Sequence, residues 1–66
     1  MNVFGERLKE LRQENGIGQV ELAKKINVSK GIISFWENGL REPTMSNLIS
    51  LADFFGVTLD YLVGRE

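Results

Sequence analysis

The chain contains neither cysteine nor histidine. The first absence removes a disulfide framework, a thiolate metal site and a cysteine nucleophile; the second removes the commonest general base and zinc ligand. Such a composition fits a reducing cytoplasm. No apolar run approaches the roughly 18 residues that would span a membrane, and the opening MNVFGERLKE lacks the apolar core of a signal peptide. A soluble, cytoplasmic protein without membrane association is expected. Length is scarce too: 66 residues make one domain, residues 1–66, and a chain of that size buries only about 60% of the surface it exposes when unfolded. A large internal active site does not fit. The carboxylates are scattered over solvent-facing positions, with neither a phosphate loop nor a nucleophile–base pair. The expectation is therefore a non-enzyme with no cofactor, no metal and no small-molecule ligand.

Nor is there an excess of positive charge: the formal net charge is −1 and the pI near 5.4. Taken whole, that argues against a nucleic-acid binder, which usually carries a basic patch. The distribution argues the other way. Between residues 24 and 41, Lys24, Lys25, Lys30 and Arg41 against the single Glu37 leave +3, while the flanking segments are −1 and −3. An anionic polymer responds to the local field within a Debye length of about 8 Å, not to the sum over the chain.

What is present is organised around the stretch from Gly18 to Gly39, GQVELAKKINVSKGIISFWENG. Leu22, Ala23 and Ile26 repeat as i, i+1, i+4, and Ile33 and Trp36 continue at helical spacing after a break. Between them Asn27, Val28 and Ser29 supply a turn residue, an apolar plug and a hydroxyl that caps the next helix. Two short helices sharing one buried seam across a tight turn have the order of a helix-turn-helix.

Four segments in order, RLKELRQENG (Arg7 to Gly16), GQVELAKKINVS (Gly18 to Ser29), ISFWENGLREP (Ile33 to Pro43) and NLISLADFFGVTLDYL (Asn47 to Leu62), give the whole chain a close resemblance to the bacterial and phage Cro/C1-type repressor domain, also called the XRE family. The resemblance implies an all-α, five-helix, lambda-repressor-like domain that binds double-stranded DNA as a transcriptional regulator, a repressor acting as a homodimer. Symmetric half-sites would then lie about 34 Å apart, so that both recognition helices meet one face of the duplex. It further implies a partly buried ion pair between Arg12 and Glu37, and phosphate contacts from Gln19, Asn38 and Arg41.

Along the chain, Phe4, Leu8 and Leu11 at i, i+4, i+7 predict a first helix from about Val3 to Asn15, ended by Gly16. Gly18 stands where the family usually has Ser or Thr; glycine caps at a cost of only a few tenths of a kcal/mol, but a phosphate-contacting hydroxyl is gone. The third helix, Ser29 to Asn38, is expected in the major groove. With Ile33 and Trp36 facing inward, Ser29, Lys30, Gly31, Ser34 and Phe35 remain on the outer surface, the positions that read bases in similar proteins. Lys30 can donate to guanine or to a phosphate, Ser29 and Ser34 can bond either, and Phe35 can touch a thymine methyl. Gly31 reads nothing itself but permits close backbone approach. For Phe35 a second reading stands beside the first, in which it packs on Ile32 or on a partner molecule.

Pro43 ends the loop, Thr44 caps a helix from Met45 to about Phe55, and Leu48, Leu51, Ala52 and Phe55 form its buried stripe. Thr58 caps a last short helix, and Leu59 and Leu62 pack back while Tyr61, Val63 and, from the preceding helix, Phe54 stay exposed; such residues form a dimer seam in similar proteins, and the alternative is that they pack in the core of one subunit. The competing function is a protein-binding module in which Phe35, Ile32 and Val20 form the contact surface and DNA binding is lost.

Overall fold

The computed structural model describes residues 3–66; Met1 and Asn2, with which the expected domain begins, lie outside the described residues. Among the described residues the chain forms five α-helices and no strand: α1 Phe4–Glu14, α2 Gln19–Ile26, α3 Lys30–Glu37, α4 Met45–Phe55 and α5 Leu59–Val63. Their starts are set by capping chemistry. Ser29, Thr44 and Thr58 stand in extended backbone one residue ahead of α3, α4 and α5, and each hydroxyl oxygen accepts the N–H three residues on, from Ile32, Asn47 and Tyr61. Gly18 makes no such bond ahead of α2. The bounds read from sequence for the first and third helices are one residue wider at each end because they take in the caps, Val3 and Asn15 for α1 and Ser29 and Asn38 for α3.

Each helix turns one apolar stripe into a common core. Phe4, Leu8 and Leu11 of α1, Ile33 and Trp36 of α3 and Leu48, Leu51 and Ala52 of α4 are all buried in it, each large side chain contributing about 1.5–3 kcal/mol by leaving water. Trp36 meets Phe4 edge-on, with ring centroids 6.1 Å apart and planes at 71°, a favoured aromatic geometry. Trp36 is therefore core. The approach of α1 to the end of α3 is close enough to exclude a side chain: a Cβ on Gly5 would lie 2.5 Å from the Trp36 carbonyl oxygen and 2.8 Å from that of Glu37.

The last helix differs from the sequence expectation. Leu62 is fully buried, but Leu59 is 37% exposed, while Tyr61 and Val63 are half-buried against the core. The reason lies in α1. The Arg7 guanidinium stacks 4.2 Å from the centroid of the Tyr61 ring, and its Nη1 donates to the Tyr61 carbonyl oxygen at 2.8 Å. Drawn onto α1 in this way, α5 buries Leu62 with Tyr61 and Val63 beside it and leaves Leu59 outside. Phe54 stays exposed, edge-on to Phe55. No helix among the described residues is long and apolar enough to cross a membrane.

Candidate nucleic-acid interface

Three helices are joined at one carboxylate. Arg12, in the last turn of α1, donates from Nε to Glu37 Oε2 at 2.7 Å and from Nη2 to Oε1 at 3.0 Å, a bidentate pair whose side chains are 12% and 4% exposed. Its Nη1 donates to the Ile17 carbonyl oxygen at 3.1 Å. Gln19, at the start of α2, donates from Nε2 to Glu37 Oε1 at 3.1 Å. The hydrogen bond to Glu37 holds the Arg12 guanidinium above its ordinary range, against the opposing pull of burial. The consequence is both mechanical and electrostatic. The ends of α1, α2 and α3 are fixed relative to one another, and the only acid between residues 24 and 41 is neutralised by a cation and presents no free charge outward.

Outside this joint lies a ridge made by α3. Ile33 and Trp36 are buried, which turns Lys30 with Ser34, and Gly31 with Phe35, outward as two adjacent i, i+4 rows. Lys30, Gly31 and Phe35 are exposed, Phe35 to 41%, and Ser34 is half-buried. Ser29 spends its oxygen as an acceptor for the Ile32 N–H at 3.2 Å, but its hydroxyl proton is free to donate. Nothing crowds Gly31: a Cβ there would meet only Ser29 Oγ, at 3.9 Å. Of the apolar trio Val20, Ile32 and Phe35, Ile32 is half-buried against the core, and Val20 and Phe35 are exposed. No cavity opens among the described residues, so whatever meets these side chains meets them across an open surface.

The end of α3 shapes the rest. Gly39 N–H bonds the Trp36 carbonyl at 3.2 Å and Leu40 N–H the Phe35 carbonyl at 2.9 Å, with Gly39 in the left-handed region at φ +72°. This is the paired-bond helix stop that glycine makes without steric cost. Within it Asn38 turns back, donating from Nδ2 to the Ser34 carbonyl oxygen at 2.9 Å and to Ser34 Oγ at 3.4 Å. Arg41, just past the stop, brings its guanidinium 5.4 Å from the Phe35 ring centroid. The family resemblance pairs Arg12 with Glu37 and groups Asn38 with Arg41, but nothing in the sequence shows that Gln19 bonds Glu37, that Asn38 holds Ser34, or that Arg41 lies over Phe35. Only the NG pair at Asn38-Gly39, a helix-stop signal, pointed toward the last two.

Residues 8–62 match the family model described as helix-turn-helix. The chain belongs to the Cro/C1-type helix-turn-helix family. Among its relatives are the HTH-type transcriptional regulator ImmR of Bacillus subtilis, 39% identical over 63 residues covering 96% of this chain and 50% of that protein, and the HTH-type transcriptional activator BcrR of Enterococcus faecalis, 40% identical over 63 residues covering 96% of this chain and 31% of that one. The chain thus spans half or less of the length of these curated relatives. The P22 c2 repressor, crystallised with the synthetic operator 9T, superposes with a TM-score of 0.90 at 35% identity, covering 96% of each chain.

Proposed function

We propose that this chain is the sequence-specific, double-stranded DNA-binding part of a cytoplasmic transcriptional regulator, a repressor that binds a palindromic operator as a homodimer. One observation carries the reading: Lys30, Gly31 and Phe35 of the α3 ridge are exposed, with the Arg41 guanidinium beside them, on a fold that superposes closely on a repressor solved with its operator. In the major groove, Lys30 donates to guanine or a phosphate, Ser29 and Ser34 bond base edges or backbone, Phe35 touches a thymine methyl, and Gly31 lets the backbone come close. Gln19, at the positive end of α2, bonds a phosphate through its second amide N–H, the first being given to Glu37; Arg41 and Asn38 bond phosphates as well. For Asn38 this requires its amide to swing away from Ser34. Phosphate contacts fix register and supply the salt-dependent affinity. A single module of this kind buries only about 600–1,000 Å² on DNA, which is why two copies are invoked.

Fluorescence anisotropy against random duplex at rising salt tests the reading. Binding should weaken with a slope of about −0.9 for each phosphate neutralised. A flat response, or no binding at low salt, would transfer the exposed Val20 and Phe35 to the competing protein-contact role. Selection from a random duplex pool should return inverted half-sites about 34 Å apart; a single unrepeated site would remove the dimer.

A further inference from the structure

Phe35 and Arg41 are brought together by the backbone. The helix stop at Gly39 turns the chain back on α3, and Arg41, two residues past it, is delivered over the last turn of that helix. Arg41 there lies over the Phe35 ring at 5.4 Å from its centroid, within the roughly 6 Å reach of a cation–π contact. Both residues are exposed, and Arg41 forms no salt bridge among the described residues. A cation–π contact draws on the charge of the guanidinium and offers it no lone-pair acceptor, so the N–H donors of Arg41 stay available. The ring therefore restrains the side chain without consuming the groups that would bond a phosphate.

We infer that Phe35 is a positioning residue for Arg41, an aromatic platform that orients the loop guanidinium toward the DNA backbone before DNA arrives. The inference rests on the DNA-binding reading and adds to it: Phe35 contributes to affinity for every sequence, through Arg41, apart from any thymine contact of its own. An arginine already restrained on binding loses less side-chain freedom than one free on a loop. The size of an exposed cation–π contact corresponds to about a two- to fivefold change in affinity.

The test is a double-mutant cycle of Phe35→Leu and Arg41→Ala, read by anisotropy on random duplex in which every thymine is replaced by uracil, so that no methyl contact remains. Phe35→Leu should weaken binding about two- to fivefold, Phe35→Tyr should restore it, and Phe35→Leu should have no further effect once Arg41 is alanine. Without DNA, the Arg41 side-chain protons should be shifted upfield by the ring in the NMR spectrum and lose that shift in Phe35→Leu. An unshifted Arg41 in the unsubstituted protein, equal affinity in Phe35→Leu, or the same loss with and without Arg41 overturns the inference. A shifted Arg41 in a protein that binds no duplex sinks the DNA-binding reading and this inference with it. Duplex binding with additive losses sinks this inference alone.

Discussion

Substituting Gly5 by alanine should destabilise the domain although alanine is the better helix former. The added Cβ would stand 2.5 Å from the Trp36 oxygen and 2.8 Å from the Glu37 oxygen, and both obstacles are main chain that no rotamer change can remove. Either α1 lifts from α3, loosening Phe4 from Trp36, or the last turn of α3 distorts. Overpacking of this kind costs about 1–3 kcal/mol and occasionally more, while the gain in helix propensity returns at most about 1 kcal/mol. With backbone on both sides of the clash the net loss should be about 2 kcal/mol, out of the roughly 3–10 kcal/mol that a domain of this size possesses. For a chain this short that lowers the melting temperature by about 8–16 °C, measured by circular dichroism on heating. Gly31→Ala is the matched control: its Cβ enters open space, so the same chemical change should stabilise by up to about 1 kcal/mol. If Gly5→Ala melts at or above the unsubstituted protein, the close approach of α1 and α3 is not the constraint described.

Arg12→Met leaves the Glu37 carboxylate, 4% exposed, without its cation, and should cost about 3–5 kcal/mol in urea denaturation; Arg12→Met with Glu37→Leu should cost less, and the reverse order would contradict a buried pair. Arg41→Ala should weaken binding to all duplexes and reduce the salt slope by about 0.9 per protomer; an unaltered slope removes Arg41 from the phosphate contacts. In a selected operator, uracil in place of the thymine facing Phe35 should cost about 1 kcal/mol of binding. Equal affinity for both bases counts against the methyl contact.

The parts of the molecule legible in the sequence are those written in single residues and short periods. Ser29, Thr44 and Thr58 mark their helices because a cap is a contact over three residues, and the stripe of Leu48, Leu51 and Ala52 names its own buried face. What depends on long-range contact was hidden. Gly5 reads as a weak helix former until the carbonyls of α3 are seen against it, and the exposure of Leu59 follows from Arg7, 52 positions earlier in the sequence. Arg12 and Glu37 could be joined only by resemblance, since nothing local in either segment demands the other. Phe35 looked like an isolated aromatic because the turn that carries Arg41 back over it is a tertiary fact with a local cause, Gly39.

The hold of Arg7 on Tyr61 determines where the molecule gives way first. A helix of five residues has no persistence of its own in water, so α5 exists by virtue of its docking, and one guanidinium supplies both a stacking contact and a hydrogen bond to it. Thermal openings of lowest free energy should begin at that docking site. Neither α2 nor α3 makes that contact, and the joint that holds the recognition ridge is made by other residues, Arg12 and Gln19 on Glu37, so fraying at α5 reaches the reading surface only through Leu62 and the shared core.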